Sequence, residues 1–95
     1  MTRPNAVLLD EADHVATVLR AVQPGETVLA SSPAGERRVI SKDTIPIFHK
    51  IAMAALSTGS DILKFGEPIG VLTADVEAGA LVHLHNLRSK RARSS

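Results

Sequence analysis

The unit apolar-x-x-Gly-x-x-apolar occurs three times in this chain and constrains its fold more than any other feature. Val22 and Val28 flank Gly25, Leu56 and Ile62 flank Gly59, and Val76 and Val82 flank Gly79. Glycine takes positive φ without a steric penalty, so each unit reads as a tight turn whose apolar residues leave and re-enter a core. Turns between strands often hold glycine, which accounts for any one of them. Three with the same flanks describe one turn-and-strand device used repeatedly. The intervals between the units are unequal, so the device builds one small, irregular β core and not a solenoid.

Short apolar runs, broken about every ten residues by Gly, Pro, Asp or Ser, carry the rhythm of an all-β domain. Val7-Leu8-Leu9 predicts a first strand, His14-Val15-Ala16-Thr17-Val18-Leu19 a second, and the residues from Glu26 to Ala30 a third. Residues 31–37, with Pro33 and Gly35, predict a hairpin tip from which Arg38-Val39-Ile40 returns. Residues 51–56, rich in Ala, Met and Leu, are compatible with either a short helix or a strand. The expected fold is mainly β, with at most one or two short helices.

A chain of 95 residues has room for one core, and 44% hydrophobic residues suffice to fold it. Phe48 and Phe65 are its only aromatics, so the core is aliphatic and the stacking platforms of single-strand nucleic-acid binders are missing. Four basic residues, Arg88, Lys90, Arg91 and Arg93, crowd the last eight positions, leaving seven basic against ten acidic residues in the body. Such a tail reads as a solvated terminus or as a nucleic-acid arm, and the mildly acidic body favours the first. Without cysteine there is no disulfide, thiolate metal site or cysteine nucleophile. Met1-Thr2-Arg3-Pro4-Asn5 reaches Asp10-Glu11 before any long apolar run, and no stretch approaches the roughly 20 apolar residues of a membrane span. A cytoplasmic protein with neither a membrane nor a nucleic-acid partner is expected.

Chemistry has to come from few side chains, chiefly the histidines at 14, 49, 83 and 85. Read as a strand, Leu81-Val82-His83-Leu84-His85-Asn86 sends Val82 and Leu84 to one face and His83 and His85 to the other. Two neutral imidazoles on one face can meet a metal or an anionic substrate, with Asn86 adding an amide, although an exposed surface pair does no chemistry. His49-Lys50 follows Ile45-Pro46-Ile47-Phe48, where Pro46 favours an extended approach, and Lys50 can meet a carboxylate as a point charge. His14, beside Asp13, reads as structural or solvent-exposed. Lys64-Phe65-Gly66-Glu67-Pro68-Ile69-Gly70 matches neither a P-loop nor a dinucleotide fingerprint and reads as a structural turn.

Three blocks, taken in order, resemble a known family: Phe48-His49-Lys50-Ile51-Ala52-Met53, then Ile62-Leu63-Lys64-Phe65-Gly66-Glu67-Pro68-Ile69-Gly70, then Asp75-Val76-Glu77-Ala78-Gly79-Ala80-Leu81-Val82-His83-Leu84-His85-Asn86. They are similar to the N-terminal SAF domain of altronate and galactarate dehydratases, over nearly the whole chain from about Ala6 to Arg88. Two departures stand out. Phe65 occupies a position where that family commonly has Tyr, and Ile47-Phe48 replaces the usual small residue or glycine before His-Lys.

The resemblance implies a SAF-type β-clip fold over residues 6–87, an N-terminal tail at 1–5 and a basic C-terminal tail at 88–95. It implies a small subunit that works with a large dehydratase catalytic subunit on a hydroxy acid such as altronate or galactarate, or on sulfolactate with sulfite as the leaving group. The chemistry implied is proton removal next to a carboxylate with departure of the β substituent, and a divalent metal, iron(II) or manganese(II), at the subunit interface. Carried onto this chain, His49, Lys50, His83 and His85 become the catalytic candidates, Lys50 and Asn86 the substrate-binding ones, and His83 and His85 the metal ligands. The competing expectation is a free-standing SAF module that binds a carboxylated sugar or a partner protein without catalysis.

Overall fold

The computed structural model describes residues 4–8, 13–64, 66–83 and 85–89. Phe65, Leu84, and the tail residues Lys90, Arg91 and Arg93 lie outside the described residues. The strands are β1 (Ala6–Val7), β2 (Val15–Val18), β3 (Thr27–Ser32), β4 (Gly35–Ile40), β5 (Lys50–Ala52), β6 (Asp61–Lys64), β7 (Glu67–Leu72), β8 (Leu81–Val82) and β9 (Leu87–Ser89). Six form one sheet in the order β4-β3-β1-β2-β5-β8, and the other three a second sheet in the order β6-β7-β9. Among the described residues there is no helix, and none long and apolar enough to cross a membrane.

The three glycine units are indeed turns, and a fourth copy joins them. In each, an apolar residue makes an isolated bridge and the chain then turns, with the fifth residue's N–H closing on the second residue's carbonyl. Glu26 donates to Gln23, His49 to Pro46, Ser60 to Ser57 and Ala80 to Glu77, all at 3.1 Å. The third residue of each turn has positive φ: Gly25 at 90°, Gly59 at 87°, Gly79 at 91° and, in the fourth copy, Phe48 at 67°. Positive φ at that position alone defines a type II turn, which favours glycine. The turns are tied in pairs through the antiparallel bridges Val22 to Ile45 and Leu56 to Val76.

At Gly79 the surroundings restrict the residue as tightly as φ does. Its N–H donates to the Ala52 carbonyl at 2.8 Å, its carbonyl accepts from Lys42 N at 2.9 Å, and a Cβ there would collide with the Ile40 carbonyl oxygen. Gly25 and Gly59 have open space where a Cβ would stand, so only their backbone angle favours glycine.

Strands β2 and β5 are apolar on both faces because they separate two cores. Ala16, Val18 and Ile51 join a cluster with Ala6, Leu8, Val22, Val28 and Ile45. The alternate residues Val15 and Ala52 join Ile62, Leu72, Val76 and Val82 in the other. Period-2 alternation thus serves two apolar environments, and burial on both sides replaces the polar face of an edge strand. The same pairing corrects the helical option at 51–56. Ile51 and Ala52 are hydrogen-bonded into the sheet between β2 and β8 and are fully buried, a placement that an extended chain satisfies and a single helical turn does not.

Other boundaries shift as well. The hairpin tip narrows from residues 31–37 to Pro33 and Ala34, because β3 and β4 pair through Ser32 and Gly35. Edge strand β4 exposes Glu36, Arg37 and Arg38, charges that discourage pairing with another sheet. Asn5 is buried, its Oδ1 accepting from Leu29 N at 2.8 Å, so ordered packing begins before β1. At the other end β9 continues through Ser89, with Arg88 paired to Val71.

Candidate functional site

Strand register brings distant parts of the chain to one place. In the β5 and β8 pair, Ile51 faces Leu81 and Lys50 faces Val82; one step further, His49 meets His83. Their ring centroids lie 4.7 Å apart with planes tilted by 53°. On its other side the His49 carbonyl accepts from Val18 N at 3.0 Å, and Phe48 N donates to the Val18 carbonyl at 2.9 Å. The turn that carries His49 is thereby fastened to β2 while His83 is fastened to β8, and the imidazole pair is the meeting point. His49 Nδ1 lies 3.1 Å from the Ile47 carbonyl oxygen; a proton on Nδ1 would make that a hydrogen bond and leave Nε2 as the free base.

The strand expected at 81–86 ends after Val82, and the alternation argument for His83 and His85 ends with it. His83 lies in a bend and His85 and Asn86 in a turn. The cause is Asn86, which is buried: its Oδ1 accepts from His83 N at 2.9 Å, its Nδ2 donates to the Leu81 carbonyl at 2.8 Å, and its own N–H donates to the His83 carbonyl at 3.0 Å. Asparagine side chains form such local loops in competition with the strand ladder. Asn86 therefore fixes the backbone on which His83 is presented.

The half-buried His83 ring titrates below its ordinary 6.5. Desolvation is the largest cause, followed by repulsion from His49, Lys50 and His85. At neutral pH it is an uncharged imidazole, able to accept a proton. Those causes also place His49, Lys50 and His85 within electrostatic reach of His83, and the Lys50 ammonium supplies a positive charge suited to a carboxylate. Lys50, half-buried on β5, faces Thr17 of β2, whose Oγ1 is buried without a hydrogen-bond partner.

His14 belongs to the scaffold. Its Nδ1 accepts from Leu63 N at 3.0 Å and its N–H donates to the Leu63 carbonyl at 3.1 Å, while the neighbouring Asp13 accepts from Gly66 N at 2.8 Å. Together they hold the β6 and β7 hairpin against β2. Among the described residues no three His, Asp or Glu side chains are grouped to hold a metal ion.

Pairing of His49 with His83 spans 34 positions and has no local signature, so sequence reasoning nominated both without joining them. The fourth turn did have one: Ile45 and Ile51 stand three residues to either side of Phe48, the same flanks as in the glycine units.

Comparison with known proteins gives the family. Residues 4–90 match the family described as the altronate/galactarate dehydratase SAF domain, and the chain belongs to that family. It is 40% identical over 63 residues to the (2R)-sulfolactate sulfo-lyase subunit alpha of Paracoccus pantotrophus, covering 66% of this chain and 94% of that one. It is 32% identical over 83 residues to the altronate dehydratase of Bacillus subtilis, covering 87% of this chain but 16% of the other, and 32% identical over 77 residues to that of Escherichia coli, covering 81% and 15%. One domain thus corresponds to nearly all of a small lyase subunit and to a small part of much longer dehydratases.

Proposed function

We propose that this chain is the small subunit of a lyase, acting in the cytoplasm with a large catalytic subunit to eliminate water or sulfite from a small hydroxy acid. The observation that carries the reading is the contact between His49 and His83 beside Lys50, in a family of lyase-associated domains. Elimination breaks a C–H bond next to a carboxylate and the bond to the β substituent, and the C–H electron pair becomes the new C=C bond. The carboxylate gathers charge as the proton leaves, and a cation beside it stabilises that charge.

Lys50 supplies the cation. His83, uncharged at neutral pH because of its desolvation, is suited to take the proton. His49, whose Nδ1 lies 3.1 Å from the Ile47 carbonyl oxygen, would return a proton to the departing group when both of its ring nitrogens carry one, and His85 is a further candidate for contact with the substrate. Asn86 acts as a positioning residue through the His83 backbone. Iron(II) or manganese(II) at this place would draw at most two imidazoles, His83 and His85, from this chain and its remaining donors from the large subunit. The roles of His49 and Lys50 do not depend on it, whereas His83 would serve either as a metal ligand or as the base and not as both, because a neutral imidazole has one basic lone pair.

The test is reconstitution. The purified chain is mixed with the purified large lyase chain of the same organism and assayed on altronate, galactarate and sulfolactate. Activity that requires both chains is the expected result. A large chain that is fully active alone, or a mixture inactive on all three, would overturn the reading.

A further inference from the structure

Phe48 breaks the pattern of its three sister turns. Where they carry Gly25, Gly59 and Gly79, it holds a bulky side chain at φ 67°, a conformation that glycine adopts freely and a phenylalanine only under strain. Core packing does not explain the choice, since Phe48 is 68% exposed. It is also not alone: Ile47 is 46% exposed and Leu19 47%. Leu19 directly follows Val18, whose backbone is bonded to both Phe48 and His49. Three large apolar side chains are therefore exposed on the turn that carries His49 and on the strand end bonded to it, on a chain with only two aromatic residues.

We infer that Phe48, with Ile47 and Leu19, is the apolar anchor through which this chain docks on the large chain of its lyase. The inference rests on the small-subunit reading and names the surface it uses. The occupant follows from the comparison of lengths: the same domain is nearly the whole of a sulfo-lyase alpha subunit and about a sixth of a single altronate dehydratase chain, so a much longer chain accompanies it. Adjacent to His49, the anchor would seat that chain over the imidazoles and exclude water from them. Exposed aromatic residues at the centre of a contact are the usual sites of high binding energy, and strain that the isolated fold does not repay marks a residue retained for binding.

Replacing Phe48 by glycine separates anchor from scaffold, because it removes the ring and relieves the backbone together. Phe48→Gly is expected to raise the thermal midpoint of the isolated chain by roughly 5 °C while weakening its affinity for the purified large chain by about 30-fold. Leu19→Ser, which leaves the turn untouched, is expected to weaken binding about tenfold without the gain in midpoint. If both variants bind as tightly as the parent, or Phe48→Gly is no more stable than the parent, the inference is overturned while the small-subunit reading stands. If the parent does not bind the large chain, both fall.

Discussion

The turns at Gly79 and at Phe48 follow the same path, with the same closing hydrogen bond and positive φ at the same position, but their surroundings are opposite. Gly79 is enclosed by Ile40, Lys42 and Ala52, with no space for a Cβ. Phe48 projects into solvent from a turn where backbone angle alone argues for glycine. A residue at Gly79 is chosen by the interior of this chain; at Phe48 the interior makes no demand that phenylalanine meets. The contrast separates two uses of one repeated device: three copies carry glycine at the turn, and the fourth carries Phe48 and is followed by His49 and Lys50, the residues to which the proposed chemistry is assigned.

The largest break in that comparison comes at the enclosed turn. Gly79→Val adds a side chain that collides with backbone and imposes an unfavourable φ, and should cost about 3 kcal/mol or more, read as a fall in the thermal midpoint. An unchanged midpoint would show that the enclosure is not tight. Asn86→Ala should cost about 2 kcal/mol by leaving the His83 N–H without its side-chain acceptor. It should also lower the activity of the two-chain enzyme more than that of a variant matched for stability. Gly59→Ala meets open space and so should cost only the backbone preference, about 1 kcal/mol; a loss as large as that of Gly79→Val would erase the distinction between open and enclosed turns.

Smallest in size is the effect of pH. His83 holds its proton less tightly folded than unfolded, so between its ordinary and its lowered value the unfolded chain binds more protons. Its contribution to stability is complete above about 6.5 and declines as the pH falls through the folded value. Thermal midpoints measured between pH 7.5 and 5 should fall more steeply in the parent than in His83→Gln, and parallel curves would deny the shift.

Much of the scaffold was legible because it is local. Glycine units mark turns wherever they occur, and the period-2 runs between them mark strands. The turn at Phe48 escaped notice because the glycine that announces the device is replaced, although Ile45 and Ile51 kept its spacing. Residues 81–86 alternate as a strand should, but a buried asparagine offered the backbone a better set of partners and ended the strand at Val82. Residues 51–56 hold good helix formers, and pairing on both sides overrode that preference. The candidate site was half legible: His49, Lys50, His83 and Asn86 were visible as residue types, whereas their assembly depends on β2, β5 and β8 meeting in one register.

The direct test of the account is the activity of the two-chain enzyme when each member of the imidazole pair is replaced in turn, with thermal midpoints confirming that the variants fold. His83→Gln and His49→Gln should each lower kcat by 10²-fold or more, the usual range for loss of a proton-transfer group, and the double variant should lose little beyond the worse single one. Parental kcat in both single variants would contradict the account and return His49 and His83 to the surface of a scaffold.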